Sequence, residues 1–315
     1  MKKKMSICLC MIVKDEEKNI ERCIQSSQGL VDEIVLVDTG SSDNTMELAK
    51  GLGARVYSFQ WDDSFANARN FAISKAESDW LLLLDADEAL DKNSFSTIVQ
   101  FIETTSLDGA HLRMRNYTGK FSPDRYSLHS ALRLLRNNKK YRFKGEIHEQ
   151  IVSDECEKIS DRFMELDVIV HHYGYLDEIV SEKQKRRRNI PILQKQLEQN
   201  PNEPFTLFNM GNEYLSMQEY QTALQYYEKA LEEIENRRIA FVPHLFFRII
   251  NCYENLGHHD KALRTAQEGL KEYPSCTDYA YLRADILHRC KRYTLAIDGF
   301  ELCLKMGTPP MALEF

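Results

Sequence analysis

The chain has 315 residues and a formal net charge of −7, with 43% hydrophobic and 28% charged residues. This length allows two domains, and this composition is that of an ordinary soluble globular protein. The negative charge argues against nucleic acid or anionic lipid as a general partner. No apolar stretch approaches the roughly 18 residues that a membrane helix needs, so we expect no transmembrane segment.

The cysteines and the N-terminus favour a cytoplasmic protein. Eight cysteines are scattered along the chain without a Cys-x-x-Cys pair, which favours buried, reduced thiols. A short lysine run followed by an apolar stretch to Val13 superficially resembles a signal peptide. The stretch is short, no small-residue cleavage site follows and charged residues come at once. We therefore interpret it as the first strand of a sheet.

The first 115 residues alternate short apolar runs with helical patterns. The predicted strands are 6–13, 33–37, 55–57, 80–84 and 110–115. The predicted helices between them are 16–27, 45–50, 64–76 and 94–104. Strands and helices that alternate with short turns predict a mainly parallel sheet covered by helices.

The next segment, 126–175, changes to strands, predicted over 132–135, 141–151 and 163–171. These strands are expected to extend the sheet and to close off one side of its carboxyl edge. After residue 176 the chain becomes helical.

Aspartates follow two of the predicted strands. Asp85 and Asp87 come directly after the apolar run 80–84, and Asp38 ends the run 33–37. Ligands of open α/β sheets bind beyond the carboxyl ends of the strands, where carboxylates can hold a hard divalent cation. Aspartate is also common in turns. Because two strands each deliver an acid to one sheet edge, we favour a metal site that faces a phosphate-bearing substrate.

Three alanines mark a repeat in the last third of the chain. Ala223, Ala262 and Ala296 lie 39 and 34 residues apart. This spacing resembles that of the tetratricopeptide repeat, a pair of antiparallel helices of about 34 residues. We predict three such repeats over 204–315, after a helical linker, 177–203. The repeats are expected to bind a peptide or to pair two subunits as a homodimer.

Several motifs occur in the order found in one enzyme family. They are residues 7–17, 37–45, Ala68-Arg69-Asn70, Leu84-Asp85-Ala86-Asp87-Glu88, Gly145-Glu146-Ile147-His148-Glu149 and His172-Tyr173-Gly174-Tyr175. The chain therefore resembles family 2 glycosyltransferases with the GT-A fold, and within them a bacterial subgroup that includes the sublancin-type peptide S-glycosyltransferases. The predicted fold class is α/β, with a GT-A-type mainly parallel sheet flanked by helices over 1–176, followed by the all-α repeats.

The resemblance implies a UDP-sugar donor, with a UDP-hexose such as UDP-glucose as the expected substrate. Asp38 is then expected to recognise the uracil and Asp85 to contact the ribose. Val13, at the end of the first strand, is placed in the same nucleotide site, and Arg69 is expected to add a fixed positive charge. The chain has no Gly-x-x-x-x-Gly-Lys phosphate loop, so a metal must offset most of the diphosphate charge.

The resemblance also implies metal ligands and a base. Asp87 is expected to bind Mg²⁺ or Mn²⁺, and His172 fits the family's late metal-binding histidine. Its neighbour His171 is expected to pack beneath the sheet. Inversion by a single displacement needs a general base for a hydroxyl acceptor, and Glu149 and His148 are the candidates. A thiol acceptor needs a base less, because its own pKa is low.

Other functions are open at this point. The expected acceptor is a peptide Cys or Ser side chain, and the alternative is a cell-surface glycan or a lipopolysaccharide-type acceptor. A non-catalytic repeat scaffold is an alternative, but a scaffold has no need for three acids at one sheet edge. Nucleotidyl transfer is a further option, although the segment 11–19 lacks the glycines which that chemistry uses. The basic run 183–189 is interpreted as a solvated helix face or as a contact to substrate phosphate.

Overall fold

The computed structural model describes residues 4–155, 159–176, 182–239 and 241–307, without the side chains of 118, 175 and 182–187. The chain forms two compact units that divide at residue 181. The side chains of the basic run up to residue 187 lie outside the described residues.

The first unit is an eight-stranded sheet with helices on both faces. Its strands are β1 (Ile7–Val13), β2 (Glu33–Asp38), β3 (Arg55–Ser58), β4 (Trp80–Leu83), β5 (Glu88–Leu90), β6 (Gly109–Gly119), β7 (Tyr126–Arg136) and β10 (Phe163–Leu176). Its α-helices are α1 (Ile20–Ser27), α2 (Thr45–Gly51), α3 (Phe65–Lys75) and α4 (Phe95–Thr104). The strand order is β3-β2-β1-β4-β7-β6-β10-β5. The first four strands in this order are parallel, and β7 is antiparallel to both of its neighbours.

Both faces of the central strands are buried, which explains their continuous apolar sequence. On one face Leu9 and Leu82 pack in a cluster with α1 and α4. On the other face Cys8, Val35 and Leu83 pack with α3. These helices fix the strands, and so the positions of the residues that follow them.

Strand register brings the predicted acids to one edge. Val13 pairs with Asp38 at the ends of β1 and β2. The turn that carries Asp85 and Asp87 joins β4 to β5. Because β5 pairs antiparallel with β10, His172 lies opposite Glu88.

The predicted strand 141–151 is wrong. It is a hairpin of β8 (Tyr141–Lys144) and β9 (Gln150–Ser153), which form a separate two-stranded sheet. The chain reverses where Gly145 and His148 adopt positive φ angles of 105° and 52°. Glycine adopts such angles freely, whereas other residues seldom do.

Other predicted boundaries differ by a few residues. The predicted helix 16–27 begins at Ile20, β6, β7 and β10 are longer than expected, and β5 has no counterpart in the prediction. The α/β class of this unit is confirmed.

The second unit is all α-helical. Its helices are α5 (Glu182–Gln199), α6 (Pro204–Ser216), α7 (Tyr220–Glu232), α8 (Val242–Asn255), α9 (His259–Glu272), α10 (Thr277–Arg289) and α11 (Tyr293–Met306). The last six form three pairs, as the repeat predicts. Small residues allow close approach, since a methyl group on Gly211 would lie 2.4 Å from the ring of buried Tyr227. None of the described helices combines the length and apolar character that crossing a membrane requires.

Candidate active site

Asp38 offers a buried oxygen at the end of β2. Its side chain is 3% exposed. Its Oδ2 accepts hydrogen bonds of 3.0 Å from the backbone N–H groups of Gly40 and Ser41. Its Oδ1 is buried and has no hydrogen-bond partner among the described residues. An unpaired buried acceptor costs about 1–3 kcal/mol, so this oxygen is suited to a ligand that donates a hydrogen bond.

Val13 contributes hydrogen bonds through its backbone carbonyl oxygen. Its carbonyl oxygen accepts hydrogen bonds from both the N–H and the hydroxyl group of Thr39, at 3.0 and 3.1 Å. These bonds tie the end of β1 to the loop after Asp38. Val13 therefore helps to fix the loop that follows Asp38.

Two arginines hold Asp85. Arg69 on α3 donates to Oδ1 at 2.9 Å, and Arg133 on β7 lies 3.4 Å from Oδ2. Burial by itself would raise the pKa of Asp85, but these guanidinium groups hold it well below its usual range. Asp85 is therefore a carboxylate at neutral pH, with both of its oxygens oriented.

Glu88 binds the backbone of the turn that carries Asp85. Its side chain is 2% exposed, and Oε2 accepts a hydrogen bond of 3.0 Å from the N–H of Asp85. Its Oε1 is paired with Arg133. Burial raises the pKa of Glu88, and the pairing with Arg133 only partly opposes this.

Asp87 and His172 converge beside a glycine. Asp87 Oδ2 lies 3.5 Å from His172 Nε2, and both side chains are largely buried. A methyl group on Gly174 would lie 2.2 Å from that oxygen and 2.7 Å from that nitrogen. The N–H of Tyr173 donates to the carbonyl of Asp87 at 3.0 Å, which fixes the approach. The absence of a side chain at Gly174 therefore allows Asp87 and His172 to pack this closely against the backbone of β10.

A polar chain continues from His172 across two neighbouring strands. His172 Nδ1 lies 2.7 Å from Asn116 Oδ1 on β6, and Asn116 Nδ2 lies 2.6 Å from His129 Nδ1 on β7. Burial lowers the pKa of His172, but the hydrogen bond with Asp87 and the nearby carboxylates raise it on balance.

The pair of Asp87 and His172 fits a divalent metal. One carboxylate oxygen and one imidazole nitrogen at 3.5 Å are compatible with two ligands of a single ion at about 2.1 Å each. No group of three or more potential ligands occurs in the part of the chain that the structure describes. Further ligands would have to come from a substrate or from water.

Glu149 is placed by α3. Its Oε1 is paired with Nε of Arg69, the same arginine that binds Asp85. The hairpin is held further by Asn70, which donates to the carbonyl of Phe143 at 2.9 Å and accepts from its N–H at 2.8 Å. The Ala-Arg-Asn motif thus joins Glu149 to the strand-end acids.

His148 and His171 are positioned differently. His148 is exposed on the hairpin turn, next to Glu149 in the chain. The structure places His171 against Tyr117, with His171 Nδ1 2.7 Å from the hydroxyl and the rings stacked at 5.8 Å. The structure therefore brings together Asp85, Asp87, Arg69, Glu149 and His172, and packs His171 apart from them.

Sequence reasoning missed Arg133, Asn116 and His129 and gave Gly174 no role. The first three lie on β6 and β7, where polar and apolar residues mix. Their contacts depend on the antiparallel insertion of β7 between β4 and β6. Only Gly174 had a local signal, because it follows a candidate ligand within a recognised motif.

Protein-family models match both units of the chain. A family model for glycosyl transferase family 2 matches residues 8–166, which is half of the chain, and two tetratricopeptide-repeat models match 204–236 and 251–303. The chain belongs to glycosyltransferase family 2 and carries C-terminal tetratricopeptide repeats.

The chain is similar to two curated proteins over most of its length. The SPbeta prophage-derived glycosyltransferase SunS of Bacillus subtilis is 27% identical over 286 residues, which cover 88% of this chain and 65% of SunS. A TPR repeat-containing protein of Synechococcus elongatus is 29% identical over 273 residues, which cover 84% of this chain and 66% of that protein. The chain thus spans about two thirds of the length of these relatives.

Among solved structures, the fragment 1–349 of S. aureus TarS is similar with a TM-score of 0.45 and 14% identity. The match covers 80% of this chain and 89% of that fragment. The crystal structure of the same fragment in complex with UDP gives a TM-score of 0.44 and 16% identity.

Proposed function

We propose that this protein transfers a hexose from a UDP-sugar to an acceptor, with inversion and with a divalent metal ion. Membership of glycosyltransferase family 2 supports glycosyl transfer. The observation that carries the metal-dependent donor site is the convergence of Asp87 Oδ2 and His172 Nε2, which lie 3.5 Å apart and which only a glycine at 174 accommodates.

Asp38 supports uridine as the donor nucleoside. Its buried Oδ1 lacks a hydrogen-bond donor among the described residues, and the N3–H of uracil is such a donor. Asp85, oriented by two arginines, is proposed to accept hydrogen bonds from the ribose hydroxyls.

Asp87 and His172 are proposed to hold Mg²⁺ or Mn²⁺. When bound, such an ion neutralises the negative charge that grows on the leaving diphosphate. The local charge favours a cation, because the carboxyl groups of Asp85, Asp87 and Glu149 outnumber the guanidinium groups of Arg69 and Arg133. Glu88 is left out of this count, because burial raises its pKa.

Glu149 is proposed as the base that takes the acceptor proton, with His148 as the second candidate. The ion pair with Arg69 holds the Glu149 carboxylate beside the donor-site acids. With a hydroxyl acceptor we expect Glu149→Gln to lower turnover about 10²–10⁴-fold. An unchanged rate with a hydroxyl acceptor would remove the base assignment, and an unchanged rate with a thiol acceptor is what the chemistry of a thiol predicts.

The acceptor is proposed to be a peptide Cys or Ser side chain, bound by the tetratricopeptide unit. The resemblance of the chain's motifs to the sublancin-type peptide S-glycosyltransferases supports this choice, and a cell-surface glycan is the alternative. The homodimer and the cytoplasmic location inferred from the sequence stay predictions.

Mn²⁺-dependent hydrolysis of UDP-glucose, with calorimetric binding of UDP, tests the donor site. We expect hydrolysis in the wild type and a loss of at least about tenfold in Asp87→Asn. The matched control Asp167→Asn changes an exposed aspartate on β10 and should leave the rate unchanged. If the wild type neither hydrolyses any of a panel of UDP-sugars nor binds UDP, the non-catalytic scaffold becomes the better explanation.

A further inference from the structure

We propose that Asn116 and His129 are positioning residues, which fix the ring of His172 so that its Nε2 presents a lone pair to the metal ion. This inference rests on the proposed metal site of Asp87 and His172. It adds two residues on other strands that set the affinity of that site.

The three side chains lie side by side on adjacent strands. In the register of the sheet His172 on β10 pairs with Asn116 on β6, and His129 on β7 pairs with Met114, two residues before Asn116. Asn116 is 6% exposed. Its amide lies between the two imidazole rings, 2.7 Å from His172 Nδ1 and 2.6 Å from His129 Nδ1. Water therefore has little access to this hydrogen-bonded chain.

The side-chain amide of Asn116 determines which imidazole nitrogen donates and which one accepts in these hydrogen bonds. Asn116 Oδ1 is an acceptor, so the Nδ1 of His172 must donate, and the neutral ring then has no proton on Nε2. That nitrogen faces the Oδ2 of Asp87 at 3.5 Å. Without a metal ion a proton on Nε2 can hydrogen-bond to this carboxylate, and a cation bound at the pair takes the place of that proton. Metal-ligating histidines in general have their second nitrogen fixed in this way.

His129 holds the amide in this orientation. The Nδ2 of Asn116 is a donor, so the Nδ1 of His129 must accept. Burial lowers the pKa of His129, and the nearby charge of Arg133 lowers it further. The ring is therefore neutral at pH 7 and retains a lone pair for this hydrogen bond.

Metal binding without turnover tests the proposal. The concentration of free Mn²⁺, measured by electron paramagnetic resonance in the presence of UDP, gives the dissociation constant. We expect Asn116→Leu to weaken Mn²⁺ binding about 10–100-fold, as is typical when the partner of a metal-bound histidine is lost. His129→Leu should weaken it less, because Asn116 can still accept from His172. The control Ser127→Ala changes the exposed residue opposite Asn116 in the register and should leave the constant unchanged.

The proton on His172 provides a second measurement. In ¹⁵N spectra of the Mg²⁺- and UDP-loaded protein we expect the proton on Nδ1 of His172. In Asn116→Leu this preference should be lost. Either of two results would overturn the proposal. One is a proton on Nε2 of His172 in the wild-type protein loaded with Mg²⁺ and UDP. The other is a dissociation constant for Mn²⁺ in Asn116→Leu that lies within twofold of the wild-type value.

A third variant distinguishes this inference from the metal site itself. If His172→Ala weakens Mn²⁺ binding and Asn116→Leu does not, only the positioning role fails. If His172→Ala also has no effect, the assignment of His172 as a metal ligand fails. Tryptophan fluorescence checks the folding of each variant, because both tryptophans, Trp61 and Trp80, lie in the first unit.

Discussion

At the scale of single residues, the site requires a residue without a side chain at position 174. Any Cβ on Gly174 would overlap the carboxylate of Asp87 and the ring of His172. The recognised motif pointed to His172, and the structure gives the glycine two positions later a physical role.

We expect Gly174→Ala to weaken Mn²⁺ binding by at least about tenfold, which corresponds to 1.4 kcal/mol. The added methyl group, 2.2 Å from Asp87 Oδ2, must push the two side chains apart. Isothermal calorimetry with Mn²⁺ and UDP measures the effect. Gly51→Ala is the control, since a Cβ at Gly51 meets no atom within 4 Å. Equal affinities in the two variants would contradict the proposed metal position.

The sequence predicted the acids of the site better than their partners. Asp38, Asp85 and Asp87 could be found because strands with buried faces end abruptly at them. Arg133 could not, since its contacts with Asp85 and Glu88 depend on the position of β7 in the sheet. A charge on a half-buried strand has no local signal that shows which residues it will meet.

At the scale of elements, one carboxylate joins β2 to the turn before β4. Glu33 accepts hydrogen bonds from the N–H of Glu77 at 3.0 Å and from the N–H and hydroxyl group of Ser78 at 2.9 and 2.7 Å. It is also paired with Arg55 on β3. Burial opposes the charge on Glu33, but the bonds from Ser78 and Glu77 and the charge of Arg55 lower its pKa on balance.

This carboxylate should make the first unit sensitive to acid. Because the pKa of Glu33 is lower in the folded state, its contribution is present above the unfolded pKa of about 4.3 and is lost as the pH falls through the folded value. We expect Glu33→Gln to cost about 1–3 kcal/mol at pH 7 and progressively less toward pH 3. Urea unfolding followed by tryptophan fluorescence measures this. Glu77→Gln, which removes the exposed partner of Arg55, should cost little at any pH.

Element types were predicted more reliably than long-range pairing. The parallel β1, β2 and β4 had strong apolar runs and are as expected, within one residue at each end. The hairpin of β8 and β9 was missed because its turn, 145–149, has one glycine and no short turn signal such as Asn-Gly, and three-residue β5 was missed because it directly follows the acids of the site. The hairpin and β5 both depend on packing against other elements and not on a hydrophobic pattern in their own sequence.

At the scale of the whole molecule, the chain consists of two units with separate cores. The repeats were predicted from spacing alone, because each repeat packs on its sequence neighbours. What they bind could not be predicted in this way, since repeat surfaces vary independently of the helix-packing positions.

We expect the two units to unfold separately. Gly211→Ala places a methyl group 2.4 Å from the Tyr227 ring, and such overpacking costs about 1–3 kcal/mol. The helical circular dichroism signal should then melt at a lower temperature. The tryptophan fluorescence transition and UDP binding should not change, because Trp61 and Trp80 lie in the first unit. A joint shift of both signals would show that the units unfold together.

The Asp38 oxygen that lacks a partner among the described residues also bears on nucleotide discrimination in the proposed donor site. Cytosine carries a lone pair at N3, where uracil carries a hydrogen, so a cytidine nucleotide in that site would set two acceptors against each other. Mismatched polar groups of this kind discriminate far more strongly than a missing methylene does. One carboxylate oxygen would thereby keep a cell's CMP- and CDP-linked precursors out of the reaction by repulsion rather than by shape.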